Sequence, residues 1–327
     1  MGLVHFLNVK DGDCTIIEHT SGRVSMIDIC NGNPENKQPV IDSYGLMESI
    51  LESLQGNRSQ KSYPVNPIDY LHSLNIKNIH RFILTHPDMD HLDGLKRLYT
   101  EFSVKYFWDT DNNKQMSSGS LGSYNADDWK FYQEIRKTAT KYCADFKSGV
   151  FASIITDKEY GKDFLQILCP TRSLNSEANK SGNYNNCSYV ILYKEANQKI
   201  LFCGDSEEKE WDILLNNYPQ ILKNIDVLIA PHHGRKSGGN DNFLDVLKPK
   251  LTLFGNAKSQ YLNYNDWNNR GLKHFTNNQG GSFILEHRAG KIEVYCTNQQ
   301  FAEAFTKEKR CNTHRHIKYN AWYLDRV

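Results

Sequence analysis

The most informative segment of this chain is residues 85–91, which read Thr85-His86-Pro87-Asp88-Met89-Asp90-His91. They follow the apolar run Phe82-Ile83-Leu84, so the pattern predicts a strand that runs into a loop. Four side chains of metal-binding type fall within the six positions 86–91. Imidazoles and carboxylates at this density would repel one another or stay desolvated unless a cation gathered them. The stretch therefore predicts a metal site at the end of a strand.

Composition limits the remaining possibilities. The 327 residues are 39% hydrophobic and 24% charged, with a formal net charge of +1, so an ordinary globular core is expected and no global basic field indicates nucleic acid binding. The eight cysteines are scattered and form no C-x-x-C pair, which is typical of reduced, buried cysteines. No apolar run approaches the roughly 18 residues of a membrane span. We therefore expect a soluble, cytoplasmic protein with no membrane partner.

Strands and helices alternate along the chain in two strand-rich halves. Residues 4–29 read as a β-meander, and residues 187–202 as a strong hairpin. Residues 170–186 read as a long polar loop. Two strand-rich halves, each accompanied by helices, predict the α/β class and a four-layer αββα sandwich.

One large domain and a tail are expected. The predicted hydrolase domain covers residues 1–300, within which residues 109–160 are partly insertion-like. The aromatic and basic residues 301–327 are predicted to form a C-terminal extension.

Three further segments place ligand-type residues directly after an apolar strand, as the opening stretch does. Asp205 follows Gly204 at the end of one predicted strand, His232 and His233 follow another, and Asp28 ends a third. Strand ends along one edge of an α/β sandwich converge, and such edges are where sites are built. We therefore expect these side chains to meet the residues of the opening stretch.

The ligand types and spacings predict two ions. His86 and Asp88 are two positions apart, so on an extended segment they point the same way and grip one ion. Asp90 and His91 turn to a second ion, Asp205 bridges the two, and one histidine of the late pair completes the second site. Two ions about 3.5–4 Å apart activate a water and neutralise charge on a phosphoryl or acyl oxygen.

The order of these motifs resembles the metallo-β-lactamase fold superfamily, whose usual signature is H-x-H-x-D-H, then Gly-Asp, then a late His. Within it, the chain is most similar to the soluble hydrolase domain of ComEC-type DNA-uptake proteins and their stand-alone relatives. Those proteins carry H-P-D-x-D-H, as residues 86–91 do here. Further segments that match are residues 8–13, 185–190, 204–208, 232–235 and 275–280. The resemblance spans roughly residues 3–296.

Departures from the family pattern narrow what the resemblance implies. Asn8, Lys10 and Arg235 stand where the family often has Asp, Gly and Ser, and the transmembrane channel of the DNA-uptake proteins is absent, so only the hydrolase is carried over. Asp88 stands where the wider superfamily has His. A carboxylate hardens the site, which favours manganese or magnesium, with zinc as an alternative. The expected cofactors are thus two divalent metal ions, zinc or manganese, with magnesium as a third option.

The late histidines and the carboxylates receive predicted roles. We assign His233 as a ligand and His232 to the substrate side, where it stabilises charge or protonates the leaving group. Asp90 and His232 are the predicted catalytic residues, and Asp90 and Asp205 position the attacking water. Asp205 would alternatively serve as a helix N-cap.

Other candidates keep two interpretations. Asn186 and Ser188 would contact a substrate phosphate or simply begin a strand, and His274 is a weaker substrate candidate or a core histidine. Asp28 would orient a ligand histidine or end a hairpin, and Asp13 is read as turn chemistry.

The expected function is a metal-dependent phosphodiesterase or nuclease, with DNA or RNA as substrate. The alternatives are hydrolysis of a small phosphodiester, such as a cyclic nucleotide or a phosphocholine-like ester, and a weakly active binding module on the same fold. Activity against β-lactams is disfavoured, because Asp88 and the late His-His-Gly differ from that branch.

Overall fold

The computed structural model describes residues 2–34, 58–144, 160–236, 241–257 and 261–327. Its strands form two sheets. The strands are β1 (Leu3–Phe6), β2 (Thr15–Glu18), β3 (Val24–Ile27), β4 (Asn78–Ile83), β5 (Ser103–Asp109), β6 (Thr140–Lys141), β7 (Leu165–Cys169), β8 (Val190–Glu195), β9 (Gln198–Phe202), β10 (Val227–Ile229), β11 (Leu251–Phe254), β12 (His274–Thr276), β13 (Phe283–Arg288), β14 (Lys291–Cys296) and β15 (Trp322–Arg326).

The first sheet has nine strands in the order β15-β14-β13-β1-β2-β3-β4-β5-β6. Its neighbours are antiparallel from β15 to β3 and parallel from β3 to β6. The second sheet has six strands in the order β12-β11-β10-β9-β8-β7, parallel from β12 to β9 and antiparallel beyond. The parallel strands β3, β4 and β5 and the parallel strands β9, β10 and β11 therefore each send their carboxyl ends to one edge of a sheet.

The helices are α1 (Pro67–Ser73), α2 (Leu95–Glu101), α3 (Ala126–Ile135), α4 (Arg172–Ser181), α5 (Glu208–Asn217), α6 (Phe243–Leu247), α7 (Tyr264–Asn269), α8 (Asn277–Gly280) and α9 (Gln299–Glu308). Helices α1–α3 cover the outer face of the first sheet, and α4–α7 cover that of the second. Three apolar clusters separate the layers, since alternate residues of each strand point to opposite faces. Phe202 and Ile83 lie in the cluster between the sheets, Phe82 packs towards α1, α2 and α3, and Leu201 packs towards α4, α5 and α6. The predicted four-layer αββα sandwich is confirmed.

One local prediction was wrong. The stretch 170–186 contains helix α4, where a polar loop was expected. Thr171 caps the helix by accepting a hydrogen bond from the Leu174 amide at 3.1 Å, and Gly182 ends it with φ 77°. Only Leu174 and Ala178, four positions apart, make its apolar contact with the core. A helix that buries so narrow a stripe leaves little hydrophobic periodicity in the sequence.

The predicted division at residue 300 stays a prediction. Of the predicted extension, α9 packs Phe301 and Ala302 into the core between the sheets, and β15 pairs with β14 at the edge of the first sheet. In the insertion-like segment, residues 109–144 contribute α3 and β6, and residues 145–159 lie outside the described residues.

Candidate metal centre

The candidate metal-binding side chains lie where strands of both sheets end. Asp28 follows β3, His91 lies in the loop after β4, Asp205 follows β9 and His233 follows β10. A backbone hydrogen bond joins the two sheets there: the Tyr189 amide, directly before β8, donates to the Thr85 carbonyl in the loop after β4 at 3.0 Å. The strand ends therefore meet at one edge of the sandwich, as expected from their positions in the sequence.

Two groups of side chains there are close enough together that each could hold a metal ion. His86, His91 and Asp205 form one group, and Asp90, His91 and His233 form the other. Within each group the ligand atoms lie within 4.8 Å of one another. All of these side chains are buried except Asp90, whose side chain is 22% exposed.

Asp205 is at the centre of the cluster. Its Oδ1 lies 3.2 Å from His91 Nε2 and 3.5 Å from His233 Nε2. Its Oδ2 lies 3.5 Å from His232 Nε2 and 3.7 Å from His86 Nε2. The two oxygens therefore face different histidines, which is the arrangement that a bridging carboxylate requires.

Asp28 fixes the orientation of His91. Its Oδ2 lies 2.8 Å from His91 Nδ1 and accepts a hydrogen bond from the Thr85 hydroxyl at 2.7 Å, while Oδ1 accepts from the Thr85 amide at 2.7 Å. A carboxylate on Nδ1 holds the imidazole in the tautomer whose Nε2 lone pair is available to a metal. Of the two roles considered for Asp28, the structure shows contact with the ligand-type histidine.

Asp13 has the corresponding position beside His233, and reading it as turn chemistry alone was incomplete. Asp13 Oδ1 lies 3.0 Å from His233 Nδ1. The turn that presents Asp13 packs tightly on the site, because a Cβ added to Gly12 would lie 1.8 Å from the carbonyl oxygen of Asp90. The signal available in the sequence was the match of residues 8–13 to an early family motif.

The late histidines occupy a sharply turned backbone. His232 has φ 51° and His233 has φ 57°, both in the left-handed region that few non-glycine residues adopt. Gly234 continues the turn with φ 85°, and a Cβ there would lie 1.9 Å from the Phe254 ring. This turn points two successive imidazoles at Asp205, which an extended backbone would send to opposite sides.

The structure distinguishes the two late histidines by burial. His233 is fully buried and its Nε2 lies 3.7 Å from Asp90 Oδ2. The His232 side chain is 19% exposed. This arrangement supports, as a proposal, the assignment of His233 as ligand and of His232 to the open side.

Asp88 lies at the mouth of the site. Its Oδ1 is 3.9 Å from His86 Nε2, its side chain is 34% exposed, and it belongs to neither ligand group. The ammonium of Lys114 makes a short contact with the same oxygen. Lys114 comes from the loop after β5, and no motif in the sequence pointed to it.

The weaker substrate candidates are placed differently. Asn186 is buried, at 8% exposure, and Ser188 is fully buried with its Oγ accepting a hydrogen bond from the Asp205 amide at 3.2 Å. This contact gives Ser188 a part in positioning Asp205. His274 stacks on Tyr264 at 5.6 Å between ring centroids and packs near Phe254, among the aromatic residues outside the second sheet.

Opposing effects set the pKa values in the cluster. Burial lowers the pKa of His91, but the carboxylates of Asp205 and Asp28 outweigh burial and raise it well above its usual value. Burial also lowers the pKa of His233, but the carboxylates of Asp205 and Asp13 outweigh burial and raise it to about 10. Burial would raise the pKa of Asp205, but the neighbouring histidines lower it well below its usual value. Without a metal, protonated imidazoles thus balance the carboxylates.

These residues fit a divalent cation. Four buried atoms lie close together, but none of them makes an aligned hydrogen bond within the described part of the chain. They are His86 Nε2, His91 Nε2, His233 Nε2 and Asp205 Oδ1. Buried polar atoms without partners are costly. A cation bound by imidazole nitrogens and carboxylate oxygens would satisfy all four atoms at once.

Comparisons with known proteins give the following relatives. ComE operon protein 3 of Bacillus subtilis is 25% identical over 253 residues, which cover 73% of this chain and 29% of that protein. Recombination protein 2 of Haemophilus influenzae is 24% identical over 162 residues, which cover 49% of this chain and 17% of that protein. Among solved structures, a Thermotoga maritima protein of the metallo-β-lactamase superfamily is 10% identical, covers 80% of each chain and has a TM-score of 0.31. A scan against protein-family models finds no match.

The four-layer architecture and the ordered motifs at its edge agree with the predicted resemblance to the metallo-β-lactamase fold superfamily, and that resemblance is confirmed. The curated relatives to which the chain is similar are ComEC-type competence proteins. The chain spans less than a third of the length of either relative. No helix among the described residues is long and apolar enough to cross a bilayer. The cytoplasmic location stays a prediction.

Proposed function

We propose that this chain is a metal-dependent hydrolase that cleaves phosphodiester bonds, with nucleic acid as its substrate. The observation that carries the proposal is that four buried atoms able to bind a metal converge without aligned hydrogen bonds. They belong to His86, His91, His233 and Asp205. The competence proteins among its relatives support DNA as the substrate, and one of them is named for recombination.

The ligands divide between two ions by the capacity of each side chain. The Nδ1 of His91 faces Asp28, so only its Nε2 is available, and one imidazole nitrogen serves one ion. Asp205 has two oxygens facing different histidines and is the bridging ligand of the proposal. His86 and Asp205 would then hold the first ion, and Asp90, His91, His233 and Asp205 the second. Asp88 would complete the first site if its carboxylate bound the ion in place of the Lys114 ammonium.

Divalent ions bound there would lower the pKa of a water and neutralise charge on a phosphoryl oxygen. The chain's own groups then orient the reactants. The partly exposed carboxylate of Asp90 accepts a hydrogen bond from the attacking water, and Lys114 contributes a positive charge at the mouth. His232 faces the open side of the cluster and holds a proton at Nε2 near the leaving group.

The test is cleavage by the purified chain after chelation and reloading with Mn²⁺, Zn²⁺ or Mg²⁺. The substrates are labelled single-stranded DNA, double-stranded DNA, RNA and the chromogenic small diester bis(p-nitrophenyl) phosphate. The site variants are Asp90→Asn and Asp205→Asn, and the matched control is Asp212→Asn, the same change on an exposed residue of α5. Metal content is measured on each protein by mass spectrometry.

We expect the loaded wild type and the control to cleave polynucleotide, and both site variants to lose at least about a hundredfold in rate, or about 2.7 kcal/mol of transition-state stabilisation. Absence of cleavage by the loaded wild type, or equal cleavage by Asp205→Asn, would refute the proposal. Cleavage of the small diester without any polynucleotide would favour the alternative of a small phosphodiester substrate. Less than one ion per chain would favour a binding module.

A further inference from the structure

A cationic cavity lies beside the candidate metal centre, at the gap between the edge strands of the two sheets. It has a volume of about 520 Å³, and three basic side chains line it, those of Lys141, Arg172 and Lys180. The one carboxylate among its described lining residues is that of Asp111. Lys141 ends β6, at one edge of the first sheet, and Arg172 follows β7, at one edge of the second. The cavity therefore has a net positive charge.

Helix α4 forms one wall of the cavity. The residues that it contributes are Arg172, Asn175, Ser176, Asn179 and Lys180, at positions i, i+3, i+4, i+7 and i+8. This spacing places all five on one face of the helix, and the face is about 12 Å long at 1.5 Å per residue. The wall is cationic at both ends and carries amides and a hydroxyl between them.

A continuous set of contacts joins this wall to the mouth of the metal centre. Lys114 contacts Asp88 and lies 5.4 Å from the centroid of the Tyr184 ring. The Tyr184 hydroxyl donates a hydrogen bond to Asn113 Oδ1 at 2.8 Å, and the Asn113 amide donates to Asn179 Oδ1 at 2.8 Å. Asn113 and Asn179 both line the cavity. These contacts therefore connect the wall of the cavity to the residues at the mouth of the metal centre.

We propose that this cavity, here called the α4 groove, binds the phosphates of a single-stranded polynucleotide that extends from the bond to be cleaved. The α4 groove is defined by Lys141, Arg172, Asn175, Asn179 and Lys180. The proposal rests on the proposed function and names its substrate class: a strand of several nucleotides. A cavity of this volume has the size of a small-molecule pocket, so it accepts one strand and excludes a duplex.

The ion pair of Lys141 does not prevent this binding. Lys141 Nζ lies 3.1 Å from Asp111 Oδ1, but the two side chains are 38% and 64% exposed, and such surface pairs are weak enough to open for a phosphate. The Asn175 side chain forms part of the floor, and its buried Oδ1 has no hydrogen-bond partner among the described residues. The groove therefore offers a hydrogen-bond acceptor beside its basic side chains. A nucleotide matches both, because its phosphate is negatively charged and its base and sugar carry hydrogen-bond donors.

The test compares a groove variant with a control of equal charge change. The groove variant is Arg172→Gln with Lys180→Gln, and Lys180→Gln alone is the milder version. The control is Lys223→Gln with Lys291→Gln, which removes two exposed lysines at the far ends of the sheets, before β10 and at the β13–β14 turn. Two readouts are used: cleavage of a labelled single-stranded oligonucleotide against bis(p-nitrophenyl) phosphate, and anisotropy of labelled DNA and RNA oligonucleotides with chelated protein at several salt concentrations.

We expect the groove variant to bind oligonucleotide on the order of tenfold more weakly, with a salt slope less steep by about 1.4 for two lost phosphate contacts. Its KM for oligonucleotide rises by a similar factor while cleavage of the small diester and the control variant stay unchanged. Unchanged oligonucleotide binding, or equal loss on both substrates, would overturn the groove. The binding readout needs no cleavage, so it decides the groove even if the proposed function fails. Conversely, normal metal-dependent cleavage with unaltered binding would reject only the groove.

Discussion

Replacing Asp28 with Asn tests whether this carboxylate orients His91 for metal binding. The Asp28 side chain is 1% exposed and accepts from three donors: the Thr85 amide, the Thr85 hydroxyl and His91 Nδ1. Asn retains one acceptor oxygen, so at least one of these buried donors loses its partner. The backbone is unaffected, because residue 28 has φ 57° and Asn adopts that region readily.

The expected effect has two parts. A buried donor without a partner costs about 1–3 kcal/mol, so the free energy of unfolding falls by that amount. Loss of the carboxylate behind a ligand histidine weakens metal binding about 10- to 100-fold, or about 1.4–2.7 kcal/mol. Zinc affinity is measured by competition with a chromophoric chelator, and stability by urea unfolding of the chelated protein.

Asp128→Asn is the matched control. Asp128 is fully buried and also accepts three hydrogen bonds, from the amides of Gly94 and Lys96 and from the side chain of Asn33, but it does not contact the cluster. We expect this variant to lose similar stability with an unchanged zinc Kd. Equal zinc affinity of Asp28→Asn and wild type, or equal weakening by the control, would refute the orienting role of Asp28.

Three further outcomes are expected. Zinc binding at pH 7.5 should release protons from both His233 and His91, because the raised pKa of each imidazole keeps it protonated before the ion arrives. Zinc affinity should therefore rise with pH up to at least about 10, the pKa of His233; calorimetry in buffers of different ionisation enthalpy checks this, and no buffer dependence would contradict it. Gly12→Ala should weaken zinc binding at least about tenfold, because the new Cβ would collide with the carbonyl of Asp90. The control Gly119→Ala, where the added Cβ meets open space, should leave the zinc affinity in the same chelator titration unchanged. Leu201→Ala should lower the free energy of unfolding by about 2–5 kcal/mol in urea, since Leu201 is fully buried under the outer helices, and a loss below about 1 kcal/mol would contradict that packing.

Strand-end positions made the fold and most of the site predictable. Asp205 and the late histidines each follow a short apolar strand, and the signal survives in the sequence because buried strands and the polar residues after them contrast sharply. Helix α4 was missed because it buries only Leu174 and Ala178 on its core-facing side. Too few apolar residues remained to show a helical period.

Lys114 and Asp13 were missed, or read incompletely, for a different reason. Lys114 reaches Asp88 from a loop 26 residues along the chain, and Asp13 reaches His233 across 220 positions, so neither contact has a local pattern. A lysine in a polar loop and an aspartate in a turn are ordinary in sequence. Their roles follow only from the site that other segments build around them.

The residue types of the centre, their order along the chain and their positions after strands were predictable, because each depends on local hydrophobic contrast and local spacing. Which atoms face one another depends on the packing of the whole fold. The pairing of Asp28 with His91, the contact of Asp13 with His233 and the cavity along α4 each join segments that are far apart in the sequence. Such contacts depend on how two sheets and their helices pack, and no single stretch of sequence contains that information.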